Sequence, residues 1–243
     1  MTLTPRAGEE RGRIQSVIEY TDLRKAMTYR DVEVLCIEAM YYGLGMVVVP
    51  SALVGHAVSC LAGKRVTVGT VISYPFGSQS PRVKAREAAT AVSQGANELD
   101  VVPHFGAILA ERWDDVSQEL SSIRVAAAAA TLKLVLETGR LSSNQIRTAC
   151  SIASDSGFAY VVNTVSFRLV STDPNAEGLA SVPVVKSLCE LAGESLQIKA
   201  AGGVSTLQEI KDLLHAGAQR VALTMYPGLL RALDWTSCEG EGS

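Results

Sequence analysis

The sequence predicts a single-domain α/β fold, a (β/α)8 TIM barrel, and three observations carry that prediction. Short β-branched runs alternate with longer helical patterns along nearly the whole chain, which is how βα units read. Eight such units fit into about 220 residues, and a closed barrel takes that length as one domain. No interior Pro/Ser-rich linker or charge block divides the chain. Residues 14–235 are therefore expected to form the barrel, with 1–13 and 236–243, rich in Gly, Glu, Arg and Ser, as disordered tails.

In chain order the strands are expected at Ser16–Tyr20, Gly45–Val49, Val66–Ile72, Glu98–Val102, Leu132–Glu137, Ala159–Asn163, Leu196–Ala200 and Arg220–Leu223. The helical stretches between and after them are Tyr29–Met40, Ala52–Leu61, Pro81–Gln94, Arg112–Ala129, Ser143–Ser156, Ala180–Leu191, Thr206–Ala216 and Tyr226–Leu233. Three junctions repeat a glycine before the next strand, at Gly95, Gly157 and Gly217. A glycine just past a helix takes up the left-handed conformation that ends it.

Composition narrows the function. Lys and Arg number 22 against 25 Asp and Glu, a net charge of −3, and the isoelectric point is near 5.7. That balance gives no footprint for nucleic acid or an anionic membrane, so the expected partner is a small molecule, with a homodimer as an admissible assembly. The five cysteines (Cys36, Cys60, Cys150, Cys189, Cys238) are widely spaced, with no C-x-x-C and no partnering His pattern. Neither a disulfide framework nor a zinc site is expected, and a reducing cytoplasm fits. The polar start MTLTPRAGEERGR has no apolar core of the kind a signal peptide carries, and no run reaches a membrane span.

In a TIM barrel the chemistry sits at the C-terminal ends of the strands, and strand residues alternate between the interior and the helix layer. With Leu196 and Ile198 toward the helices, Lys199 turns inward. With Leu99 and Val101 outward, Asp100 points inward, and Lys133, Val135 and Glu137 share one face opposite Leu132, Leu134 and Leu136. Two lysines and at least one carboxylate therefore converge where a purely structural barrel would use Val, Ile and Leu. Buried charges cost several kcal/mol each unless paired. The alternatives are a satisfied ion network and a lysine-centred site in which an amine attacks carbonyls while a carboxylate moves protons.

The segments TVISYPFGS (Thr70–Ser78), GANELDVV (Gly95–Val102), LKLVLETGRL (Leu132–Leu141) and IKAAGGVST (Ile198–Thr206) resemble, in order, those of deoxyribose-phosphate aldolase, a class I aldolase on a TIM barrel. The resemblance runs from about Val17 to Leu233. It implies aldol chemistry between acetaldehyde and glyceraldehyde 3-phosphate through a lysine Schiff base, with no metal or other cofactor. Asp100 and Lys199 match residues that assist proton transfer in that family, and Lys133 matches its fifth-strand lysine.

The chain departs from the pattern on the sixth strand. The family's F-[IV]-K-T-S-T-G is matched here to VVNTVSF, which sets Asn163 at the Schiff-base lysine, Val165 at a small hydroxyl residue and Phe167 at the glycine, and keeps Thr164 and Ser166. The family's G-x-S-S phosphate grip corresponds to Ala222-Leu223-Thr224-Met225, and its D-x-T-x-L to Glu19-Tyr20-Thr21-Asp22-Leu23. Gly202 and Gly203 persist, either as a backbone cradle for an anion or simply as a tight βα turn, and Arg168 could reach an anionic group. With Phe167, Met225 and Tyr226 in place, the phosphate end reads as smaller and more apolar.

The catalytic candidates are thus Lys199, Asp100, Lys133 and Asn163, and the substrate-binding candidates Thr164, Ser166, Arg168, Gly202, Gly203, Thr224 and Glu137, the last expected to orient Lys133 or Lys199. His104, just past the fourth strand, is a lesser acid/base candidate, while His56 and His215 read as surface or packing residues. The leading functional expectation is an aldolase-like enzyme on a changed, non-standard carbonyl substrate, with Lys199 as the amine and weak or absent deoxyribose-phosphate cleavage. The alternatives are a non-covalent catalyst in which the Asn163 amide stabilises an oxyanion with Asp100 and Lys199, and a catalytically silent homologue with a binding or regulatory role.

Overall fold

Strands and helices follow one another in the predicted alternation in the computed structural model, which describes residues 7–165, 178–225 and 229–233. The order is α1 (Ala7–Ser16), β1 (Ile18–Thr21), α2 (Tyr29–Tyr41), β2 (Met46–Val49), α3 (Val54–Cys60), β3 (Thr67–Ile72), α4 (Pro81–Ser93), β4 (Glu98–Val101), α5 (Phe105–Leu109), α6 (Trp113–Ala126) and β5 (Thr131–Val135). It continues with α7 (Ser143–Asp155), β6 (Tyr160–Val162), α8 (Val182–Ala192), β7 (Gln197–Ala200), α9 (Leu207–His215), β8 (Arg220–Thr224) and α10 (Leu229–Ala232). The strands close into a barrel in sequence order. Every pair is parallel, and β8 returns to β1 with Ile18 opposite Val221.

The period-two alternation of the strands sorts the residues between two cores. Ile18, Tyr20, Leu99, Val101, Leu132, Leu134, Ile198, Val221 and Leu223 face outward and pack with helix residues such as Leu35, Ala88, Leu120, Ile123, Val185 and Ile210. Small residues on α4 and α7, Ala88, Ala91, Ala149 and Ala153, let those helices lie close on the sheet. The helix starts are fixed by side chains that accept from otherwise unpaired backbone N–H groups. Thr28 with Asp31, Ser142 with Gln145 and Thr206 with Glu209 form reciprocal capping boxes. Gly95, Gly157 and Gly217 have φ of 100°, 76° and 115°, as their position after a helix requires.

Thr206 tests this local logic at small scale. Thr206→Ala is expected to lower stability by about 1 kcal/mol and the melting temperature by roughly 2–4 °C, read by thermal denaturation followed by circular dichroism.

One expectation at the ends is corrected. The segment up to Arg13 is not wholly a tail, since α1 begins at Ala7. Ile14 is 2% exposed and packs into the core, while Glu10 lies 3.7 Å from Lys211 on α9; one apolar anchor is enough to hold an otherwise polar helix. The short α5 and the 3-10 turns Ser51–Leu53 and Thr138–Arg140 were also not expected. The tail 236–243 and the first residues of the last expected helix lie outside the described residues. No described helix is long and apolar enough to cross a membrane.

Candidate active site

The inward-facing residues stack along each strand in steps of two. Nearest the N-terminal ends stand Glu98, Tyr160 and Arg220, the first residues of β4, β6 and β8. Glu19, Asp100, Lys133 and Lys199 form the centre. One inward position further toward the mouth come Val102, Val135, Ala201 and Ala222, which with Val162 form an apolar layer against which Tyr74 and Val165 pack.

The centre is a closed ion network. Glu19 is completely buried and bridges both lysines, with Oε1 2.5 Å from Lys133 Nζ and Oε2 2.5 Å from Lys199 Nζ. Lys199 also donates to the Asp100 carboxylate. Lys133 lies 2.8 Å from Glu98 and 3.5 Å from Asp100. Arg220 completes the lower edge, 3.6 Å from Glu98 and 3.8 Å from Glu19, with the Tyr160 ring under both Lys133 and Arg220. Glu19, Glu98 and Asp100 thus balance Lys133, Lys199 and Arg220, as a low-dielectric interior demands.

Burial would raise the Glu19 carboxyl, but the charges of Lys133 and Lys199 outweigh it and hold the group down at about 2. Burial likewise opposes the charged form of Lys133, and Glu19, Asp100 and Glu98 overcome it, so its pKa is raised. Lys133 is therefore an ammonium paired with the carboxylates of Glu19, Glu98 and Asp100. Lys199 is 2% exposed and Asp100 7%, the largest value among the four central groups.

Several expected site residues do other work. Glu137 does not orient either lysine: its Oε1 accepts from the Val165 N–H at 3.0 Å and lies 3.4 Å from Thr164 Oγ1. It stands two inward positions past Lys133, and Val135 separates them. Burial, followed by the Glu137 charge, pushes the nearby Tyr74 phenol up to about 12. Thr164 is buried, whereas Thr224 ends β8 exposed. His104 caps α5 with its backbone N–H donating to Glu119 Oε1 at 3.1 Å, and its residue surface is exposed. Glu119 also pairs at 2.9 Å with Lys84, whose Nζ donates to the Val102 carbonyl; this buried pair ties α4 and α6 to the end of β4. Gly202 and Gly203 have φ of 92° and 80°, and a Cβ at Gly203 would meet the Leu179 side chain at 3.6 Å. Ser166, Arg168, Phe167 and Tyr226 lie outside the described residues.

Among known proteins, the chain is 34% identical over 88% of its length to the deoxyribose-phosphate aldolase of Methanothermobacter thermautotrophicus, covering 92% of that protein. It belongs to the deoxyribose-phosphate aldolase family. A solved structure of a putative deoxyribose-phosphate aldolase from Coccidioides immitis superposes with a TM-score of 0.78 at 31% identity, covering 88% of this chain and 82% of that one. One from Aeropyrum pernix, described as having a unique tetrameric structure, gives 0.75 at 26%, covering 89% and 91%. No protein-family model matches the chain.

Against the aldolase family's sixth-strand motif, the structure corrects the placement of Asn163. Residues in register across a sheet point to the same face, and Val162 is in register with both Lys199 and Val135. Val162 therefore faces the interior, where it is 1% exposed within the apolar layer. Asn163, one residue on, lies along the ladder: Nδ2 donates to the carbonyls of Gly178 at 2.5 Å and Ala201 at 2.8 Å, and Oδ1 accepts from the Ala201 N–H at 2.7 Å. Both amide hydrogens are taken by carbonyls, so the side chain presents no donor to an oxyanion. The motif then reads Tyr160-Val161-Val162-Asn163-Thr164-Val165-Ser166, with an aromatic residue at the Phe place, Val162 at the lysine place and Phe167 beyond the motif.

Sequence reasoning also missed Glu19 as a site residue. The signal was present, because Ile18 and Tyr20 face the helices and the alternation that turned Asp100 inward does the same to the residue between them.

Proposed function

We propose that this member of the aldolase family is an aldolase-type lyase that makes or breaks a C–C bond beside the carbonyl of a small, non-standard substrate, with Lys199 as the amine and Asp100 in proton transfer. The observation that carries this reading is the position of Lys199 Nζ between the carboxylates of Glu19 and Asp100, with Asp100 the more exposed of the two. Lys199 passes a proton to Asp100 and adds to the carbonyl carbon; loss of water gives the imine. Asp100, having given its proton to the departing water, takes the proton of the β-hydroxyl as the Cα–Cβ bond breaks, which releases an aldehyde and leaves an enamine; the enamine takes a proton at carbon and is hydrolysed to the second carbonyl product. No metal enters this scheme. A homodimer in the cytoplasm belongs to the same reading.

Ordinary deoxyribose-phosphate cleavage is expected to be weak or absent. Val162 cannot form an imine, and Ala222 and Met225 stand where the resemblance has a glycine and a serine at the phosphate. The one hydroxyl donor lost with the serine corresponds to on the order of 10–10² in affinity for an anion. Robust turnover of 2-deoxyribose 5-phosphate by the unaltered protein, in a coupled assay, would contradict this.

The direct test is reductive trapping. Incubation with short aldehydes and borohydride should add the mass of the reduced adduct to the tryptic peptide carrying Lys199, and Lys199→Met should lose it. The second reading, a silent homologue, is favoured by Val162 at the lysine place; adducts confined to surface lysines would remove the covalent reading, and absence of turnover as well would establish the silent one.

A further inference from the structure

We infer that the substrate of this site, taking the Lys199 reading above as its basis, is an apolar carbonyl compound without a phosphate, a short aliphatic or aryl aldehyde or ketone. On four of the five strands that carry a charged group into the barrel, the next inward residue toward the mouth is apolar: Val102 above Asp100, Val135 above Lys133, Ala201 above Lys199 and Ala222 above Arg220, while on β1 Thr21 follows Glu19. Val162 above Tyr160 joins them, and these five residues are 1–9% exposed. Hydrocarbon therefore lies between the mouth and the amine. Chain atoms next to the reacting carbonyl exchange water for aliphatic contacts, which favours methylenes and disfavours hydroxyls and charges.

The second observation concerns the backbone cradle at Gly202–Gly203. The Leu179 side chain lies against Gly203, with Cδ1 3.6 Å from where a Cβ would stand. Next to it, the Ala180 N–H donates to the carbonyls of Ala201 and Gly202. A leucine beside the turn sets an apolar side chain where an anion would favour a polar or cationic one. Leu179 and Phe76, both on loops that follow strands and so lie at the mouth, are 37% and 62% exposed and extend the apolar surface outward.

The test is a competition in the trapping experiment, scored as the ratio of adduct at Lys199 to adduct at exposed lysines such as Lys25, which cancels intrinsic aldehyde reactivity. From acetaldehyde through propanal to butanal this ratio should rise by up to about fourfold per methylene. Butanal should exceed glyceraldehyde 3-phosphate by at least about tenfold. Val162→Thr, nearly equal in shape, should flatten the chain-length dependence, and Leu179→Ala should raise the ratio for glyceraldehyde 3-phosphate several-fold. Preferential trapping of glyceraldehyde 3-phosphate at Lys199, or a ratio independent of chain length, overturns the apolar assignment while leaving Lys199 as the amine. Absence of any adduct at Lys199 with every aldehyde overturns both.

Discussion

Val162→Lys is expected to give the protein a new trappable amine, whereas Asn163→Lys is expected to give an unstable one. Position 162 faces the interior in register with Lys199, so a lysine there enters a space bounded by Val102, Val135 and Ala201 and close to two existing cations. Desolvation and like-charge repulsion both favour the neutral amine, and Asp100 remains available to take the proton. Borohydride with an aldehyde should then label residue 162 at a pH near neutrality. The larger side chain in a packed layer costs about 1–3 kcal/mol, a loss a barrel of this size tolerates. At 163 the same replacement removes three hydrogen bonds that join β6 to Gly178 and to the end of β7. It leaves the Ala201 N–H and two carbonyls to find new partners and buries a charge, a loss of roughly 3–5 kcal/mol, visible in urea denaturation. A stable Asn163→Lys protein that traps aldehyde at 163, with no adduct at 162 in the other variant, would reverse the assignment of the two positions.

Glu19→Gln is the other substitution with a large expected effect. The glutamine keeps the shape but leaves Lys133, Lys199 and Arg220 facing only Asp100 and Glu98, so one buried positive charge loses its counterion. Breaking such a pair from one side costs about 3–5 kcal/mol, measured as a shift of the denaturant midpoint at pH 7. The pH dependence gives an independent reading. The Glu19 carboxyl titrates from 4.5 in the open chain to about 2 in the folded one. Its contribution is complete above about pH 4.5 and is lost as the pH falls toward 2. Glu19→Gln should therefore be less stable at neutral pH yet flatter across that acid window. Lys133, with its pKa raised, acts in the opposite sense, contributing fully below its open-chain value of 10.5 and losing that contribution only in more alkaline solution. An unchanged midpoint together with an unchanged acid profile would show that Glu19 does not hold the two lysines.

The eight βα units were legible in the chain because their signals are local: β-branched runs, capping residues such as Thr28, Ser142 and Thr206, and glycines after helices. The same alternation is enough to place Asp100, Lys133 and Lys199 in the interior, since successive strand residues point to opposite faces. It also contained Glu19, but a single inward carboxylate has no evident meaning until its partners are known. Those partners, Lys133 and Lys199, are 114 and 180 residues away in sequence and meet it only when β8 closes against β1. The tertiary structure likewise decided the sixth strand. Residue types alone allowed the motif to be laid on the chain one position out, and in a strand a slip of one residue exchanges the interior face for the other. The ladder with β5 and β7 removes that freedom, turns Val162 toward the amine and spends the Asn163 amide on the backbone. The sequence by itself determined which strands and which charges this barrel has; closure of the ring decided which of them touch, because contacts between distant strands follow from register, and register is a property of the pairing rather than of any one strand.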